Sequence, residues 1–162
     1  METKIMKKTP QDSIAEQVHI IMPMDVNSSY SLFGGMLMQW IDVVAGVVSR
    51  RHCGCNTRTA AVEKLEFLAP AYVDDIVELK GRIVFTGRTS MVVCVDTYVE
   101  RPTEPENKIH VNRALLTMVA VDNQGKPTPV PDLCIQTEEE QQLWNEAKER
   151  RDIRKRIEGD KK

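Results

Sequence analysis

NSSYSLFGGMLMQWIDVVAGVVSR, residues Asn27 to Arg50, joins a polar, turn-prone run to a segment in which positions 36 to 48 are apolar or small except for Gln39 and Asp42. Met36, Leu37, Trp40, Ile41, Val44, Val47 and Val48 recur at three- and four-residue steps, the spacing of a helix. The positions between them are mostly Met, Val, Ala or Gly, so the helix is expected to be buried on nearly all sides. It is shorter than the roughly 20 apolar residues of a membrane span and carries a carboxylate in its middle, so membrane insertion is not expected. Asp42 in such surroundings loses hydration unless it is paired. It is either a functional acid or an acid facing a polar seam.

Working outward, the chain carries strand signals on both sides of this helix. Ile14 to Met22 places Val18, Ile20 and Met22 on one parity and stops at Pro23. At the C-terminal end of the helix, Arg50, Arg51 and His52 suit the negative end of its dipole, and Gly54 suits its termination nearby. Thr57 to Leu68 reads as a strand ending before Pro70. Ile76 to Thr86 alternates Val77, Leu79, Ile83 and Phe85 with charged residues, and Ser90 to Glu100 aligns Met91, Val93, Val95 and Val99. Gly87-Arg88-Thr89 is short enough to join these two as an antiparallel hairpin, with Gly87 free for positive φ. Ile109 to Asp122 is apolar on both parities, as for a strand in the interior of a sheet, and the turn Asn123 to Pro127 closes it.

Pro127, Pro129 and Pro131 then lead the chain outward, and Thr137 with Glu140 forms a capping box for a last helix reaching about Ile157. Its acids crowd the first turn and its cations the second half, which suits a solvated helix; the rival is that some cations meet a phosphorylated ligand or another subunit. The fold class is therefore α+β, an antiparallel sheet wrapped around one long central helix, plus a C-terminal helix. The organisation is a polar leader (1–13), one domain (14–132) and a charged C-terminal helix and tail (133–162). The long sheet edges call for at least a homodimer.

Composition narrows the function classes. A formal net charge of -2 offers no general attraction to polyanions, so no nucleic acid partner is expected. The four cysteines include Cys53-Gly54-Cys55, but neither Cys94 nor Cys134 completes a zinc-ligand spacing with His52, so no metal site and reduced thiols are expected. The start METKIMKKTP is basic without the apolar run of a secretory signal, which makes the cytoplasm the expected location.

Asn27, Leu32-Phe33-Gly34-Gly35, Leu37, Trp40 and Asp42 form a pattern, N-x-x-x-x-L-F-G-G-x-L-x-x-W-x-D, that resembles the acyl-CoA thioesterases of the hotdog fold. Thr59, Glu63, Phe67, Pro70, Asp75-Ile76-Val77, Gly87-Arg88-Thr89-Ser90 and Val119-Ala120-Val121-Asp122 resemble later landmarks of that family, so the likeness covers about residues 14 to 132. The resemblance implies hydrolysis of a fatty acyl-CoA thioester to free acid and CoA, with no separate cofactor, at sites between paired subunits. Dimers that assemble in threes into a hexamer are part of what it implies. Its catalytic acid maps onto Asp42, its catalytic amide onto Asn27, and its carbonyl-polarising amides onto Gly34 and Gly35. Thr59, Arg88, Thr89 and Ser90 fall at substrate and CoA contacts.

Asp42 lies roughly 10 Å of helical rise beyond Gly35, so Asp42 of the partner chain is the better match for the carbonyl held at Gly35. Asp42 then acts either as general base on water or by direct attack. Two positions depart from the family: Tyr30 and Asp74 stand where relatives commonly have Gly, and Tyr30 gives up freedom at positive φ. The rivals are a non-catalytic acyl-CoA-binding module, a dehydratase and a purely structural oligomer. A dehydratase favours a His in the site, and His19, His52 and His110 are expected outside the central helix.

Overall fold

The structure is a computed structural model that describes residues 6–159. Five strands form one antiparallel sheet: β1 (Ala15–Ile20), β2 (Asn56–Phe67), β3 (Ile76–Thr86), β4 (Ser90–Arg101) and β5 (Glu104–Val121). Their order across the sheet is β1-β3-β4-β5-β2, with every neighbouring pair antiparallel. The strand expected to start at Ile109 begins earlier, at Glu104, and is paired on both sides, although the middle of the sheet is β4.

The helix α1 (Gly34–Cys53) crosses one face of this sheet and stops at Gly54, which takes φ 68°. Leu37, Ile41, Val44, Ala45 and Val48 pack with Val77, Leu79 and Ile83 of β3 and with the parity Met91, Val93, Val95 and Val99 of β4. Each such side chain contributes roughly 1.5–3 kcal/mol when fully buried, so this stripe is the main source of stability. It is also only a stripe. The expectation of a helix enclosed on all sides fails within the chain, because Met38, Val43 and Val47 are exposed on the face turned away from the sheet.

Gly81 sets how closely α1 approaches. A Cβ there would lie 2.5 Å from Val44 Cγ1 and 2.9 Å from Val48 Cγ2. Gly81→Ala is therefore expected to destabilise the fold by about 1–3 kcal/mol through overpacking. A thermal melt reads this as a fall in Tm of about 2–4 °C per kcal/mol; an unchanged Tm would show that α1 slides aside at no cost.

The opposite face is covered too, which corrects the reading of the last helix as solvated. α2 (Glu138–Gly159) buries Leu143 and Ala147, with half-buried Trp144, against Val84, Phe85, Val92, Cys94 and Leu115. Phe85 reaches this second layer because the β3–β4 register shifts between Ile83 and Phe85, and one extra residue turns the next side chain to the other face. The capping box is present, with Glu140 N–H donating to Thr137 Oγ1 at 3.2 Å and Thr137 N–H to Glu140 Oε2 at 3.3 Å. The proline-rich passage returns to the core: Val130 is buried, and its N–H donates to Arg88 O at 3.0 Å. Pro10–Ser13 forms a 3-10 turn with Pro10 and Ser13 buried, while residues 1–5 of the polar leader lie outside the described part. No helix among the described residues is long and apolar enough to cross a membrane.

Candidate active site

The loop before α1 is tied by its own polar side chains. Buried Asp25 accepts from Met22 N–H through Oδ2 at 2.8 Å, and its carbonyl accepts from Phe33 N–H at 2.8 Å. Asn27 Oδ1 accepts from Ser29 N–H at 2.9 Å and from Ser31 N–H and Oγ–H at 3.3 Å each. The amide oxygen of Asn27 is thus spent on the loop, which leaves its NH2 group as the donor for a ligand. Phe33 stands at the N-cap of α1 with no side-chain cap, so the first N–H groups, at Gly34 and Gly35, have no intrahelical acceptor. Such donors at the positive end of a helix suit a developing oxyanion. A Cβ at Gly35 would meet the Phe33 ring at 2.6 Å, so the glycine also gives that ring its place.

Tyr30 and Asp74, the two departures from the family's glycines, have φ 61° and 72° and are, among the described residues, the non-glycine positions in left-handed backbone. The structure therefore keeps the turn and places the strain on the substituted side chain. Tyr30→Gly is expected to raise stability by about 0.5–1 kcal/mol, the left-handed strain of roughly 1–2 kcal/mol less the added chain entropy of glycine. A melt showing a lower Tm would mean that the exposed Tyr30 ring contributes more than its backbone costs.

Asp42 lies two turns into α1 and is exposed in the chain rather than buried. The reason is orientation: it shares the solvent-facing side of the helix with Met38 and Val43. Thr59 on β2 donates from Oγ1 to Asp42 Oδ1 at 2.6 Å and fixes the carboxylate, so Thr59 is brought to the acid itself. Trp40 of the same pattern is stacked on His19, with centroids 4.0 Å apart and planes 5° from parallel. Burial lowers the His19 pKa from its ordinary value, with Asp25 opposing. His52, expected outside the helix, occupies its last turn. It is buried there, where desolvation lowers its pKa, and Nε2–H donates to Pro131 O at 2.8 Å.

A cavity of about 350 Å³ opens beside the helix start, lined in part by Ser31, Leu32, Leu37, Phe67, Leu68 and Ala71. The other expected contacts lie on the turn between β3 and β4. Gly87 does not take positive φ; its N–H donates to Ser90 O at 2.8 Å. The missing Cβ serves close approach instead, since it would sit 2.8 Å from Ser90 Oγ and 2.9 Å from Arg151 Nη2. Arg88 is exposed on this turn, and Thr89 O accepts from Ala120 N–H at 3.0 Å. Arg151, one of the many cations in the second half of α2, is thereby held against the turn and over the Phe85 ring, 5.3 Å from its centroid. Its place depends on how α2 docks, and no local pattern signals it. Among the described residues no group of three or more His, Cys, Asp or Glu could hold a metal ion.

An antiparallel sheet wrapped on one helix, here with open amides at the helix start and a held carboxylate in its middle, is the architecture of a hotdog protein. The chain belongs to the thioesterase superfamily, among its hotdog acyl-CoA thioester hydrolases. The sequence profile of the thioesterase superfamily matches residues 31–106. The uncharacterized acyl-CoA thioester hydrolase YkhA of Bacillus subtilis (strain 168) is 35% identical over 153 residues, covering 91% of this chain and 88% of that protein. The chain spans only 35% of the length of the mammalian cytosolic acyl coenzyme A thioester hydrolases that it also matches.

Among solved structures, an apo-hexameric acyl-CoA thioesterase superposes with TM-score 0.89 at 35% identity, covering 94% of this chain and 97% of the other. The acyl-CoA hydrolase of Staphylococcus aureus in complex with butyryl coenzyme A, coenzyme A and coenzyme A disulfide has TM-score 0.88 at 29% identity, covering 96% and 95%. Forms of that hydrolase with alanine in place of one asparagine, one aspartate or one threonine superpose at 0.89, 0.87 and 0.87, at 28% identity.

Proposed function

We propose that the chain hydrolyses the thioester of a fatty acyl-CoA to free acid and CoA, at a site built from two subunits. The observation that carries this reading is the position of Asp42: held by Thr59 at 2.6 Å, exposed, and flanked by exposed Met38 and Val43. One helix separates Asp42 from the Gly35 amide by roughly 10 Å of rise, too far for both to act on one carbonyl. A second copy packed on the apolar flank brings its own Asp42 to the first copy's amides. The assembly read here is a homodimer, with three dimers in a hexamer; a relative described as hexameric supports it.

In this reading the thioester oxygen accepts from Gly35 N–H, with Gly34 and the Asn27 NH2 group beside it. Asp42 of the other subunit takes a proton from water as it attacks, the helix amides hold the oxyanion, and collapse expels the CoA thiolate. Direct attack by Asp42 through an anhydride leads to the same products. Thr59 positions the carboxylate in both routes. The acyl chain enters the cavity lined by Leu32, Leu37 and Phe67, and the CoA phosphates meet Arg88, Thr89 and Ser90, with Arg151 adjoining. The alanine forms of the Staphylococcus aureus hydrolase lend support: their asparagine, aspartate and threonine are spaced 15 and 17 positions apart, as are Asn27, Asp42 and Thr59.

A thiol-release assay over a panel of acyl chain lengths, run beside calorimetric CoA binding, tests the reading. Thiol release that rises with protein concentration is expected. Binding without release would replace hydrolysis with acyl-CoA sensing or carriage, and neither would leave a structural oligomer.

A further inference from the structure

At the other end of α1, the left-handed Gly54 donates its N–H to Arg50 O at 2.8 Å and reverses the chain within one residue. That reversal brings Cys53 Sγ and Cys55 Sγ to 3.0 Å, inside the contact distance of two sulfurs and about 1 Å longer than a disulfide bond. Both thiols are free and partly accessible, and Gly54 and Cys55 line an open cleft of about 640 Å³ with Arg50 and Asn56. Neither remaining cysteine has this arrangement: Cys94 is buried and Cys134 is exposed on the passage into α2. The pair lies about 16 Å along α1 from Asp42, so nothing in the proposed hydrolysis uses it.

We infer that Cys53 and Cys55 form a thiol–disulfide exchange site, taking a small-molecule disulfide as oxidant and closing to a disulfide across Gly54. Cys55, which faces the cleft, attacks one sulfur of the incoming RS–SR; that S–S bond breaks, and the departing RS⁻ takes up the proton that Cys55 lost. Cys53 then attacks Cys55 Sγ of the mixed disulfide and expels the second RSH. Two protein thiols are oxidised and one small disulfide is reduced to two thiols. The order follows from the surroundings of Cys53, whose thiol is pushed up to about 11 chiefly by burial, which makes it a poor first nucleophile.

The test uses the full chain with Cys134→Ser, which removes the exposed thiol and leaves three of the four cysteines. After incubation with oxidised glutathione and an acid quench, thiols counted in denaturant are expected to fall from about three to about one, with an intact mass lower by two hydrogens. Under the same conditions Cys53→Ser is expected to retain a glutathione adduct on Cys55. A stable glutathione adduct on the protein that retains both cysteines, or no loss of thiols, would overturn the inference. Phenylarsine oxide, which bridges two neighbouring thiols, supplies a second measurement: one arsenical per chain is expected, lost in either Cys53→Ser or Cys55→Ser. Equal labelling of the Cys53→Ser and Cys55→Ser variants would equally refute the pair.

Discussion

Alanine at Asp42 is expected to lower kcat for acyl-CoA hydrolysis by about 10²–10⁴-fold, the usual contribution of a positioned general base. The fold tolerates the change, because the side chain is exposed on α1 and its recorded partner is the Thr59 hydroxyl, which water can satisfy. An unchanged Tm with collapsed turnover therefore separates chemistry from folding, and wild-type turnover in Asp42→Ala would remove this residue from the mechanism. The proposed cross-chain arrangement has its own consequence. Mixed with Asn27→Ala under conditions of subunit exchange, Asp42→Ala is expected to recover about a quarter of wild-type activity, since half the dimers then hold one intact site of two. No recovery despite demonstrated exchange would place both residues in a single chain's site.

Removal of Asp96 is expected to have the largest effect on stability. Its Oδ1 accepts from His110 Nε2 and Arg113 Nε at 2.7 Å each, and Oδ2 accepts from Arg113 Nη2 at 3.0 Å, with Asp96 itself buried. Asp96→Ala leaves the guanidinium without its partner in a partly dry setting, a loss in the range of about 3–5 kcal/mol for buried pairs; the partial exposure of Arg113 favours the lower end. A Tm lower by several degrees is the expected reading, and a fall within error would show that Arg113 swings to solvent.

The same site predicts a pH dependence. Burial works to raise the Asp96 pKa, but the hydrogen bonds and charge of Arg113, then those of His110, outweigh it and hold the carboxyl below its ordinary value. A depressed folded pKa stabilises the fold fully above the unfolded value of about 3.9 and progressively less as pH falls through the folded one. Wild type should thus lose stability in acid more steeply than Asp96→Asn, whose side chain does not titrate.

Both sites show how far linear pattern reaches. The Asn27 to Asp42 pattern is local, so its residues could be named from their order, and the spacing of Gly35 and Asp42 along one helix already favours Asp42 of a second chain in the proposed site. The bounds of β3 also match, because alternation over Ile76 to Thr86 is strong and Gly87 interrupts it. Asp96, by contrast, sits in an apolar strand run with nothing in its neighbourhood to announce Arg113, which lies beside it only through the β4–β5 register.

By itself, the sequence determined the order of the elements, some of their ends and the family. Helical spacing ending at Gly54, period-two alternation over most of β3 and β4, and the Thr137–Glu140 cap are each encoded within a few residues. Tertiary structure decided which face each element buries. Asp42 points outward because the sheet takes only one stripe of α1, Phe85 turns to α2 because of a single extra residue in β3, and α2 is a covering layer through Leu143 and Ala147 despite its many charges. The placement of Arg151 at Gly87 and the 3.0 Å approach of Cys53 to Cys55 belong to the same group. The physical reason is common to them all: a side chain's surroundings are set by chain segments far away in sequence, and a one-residue bulge or one left-handed glycine is enough to exchange them.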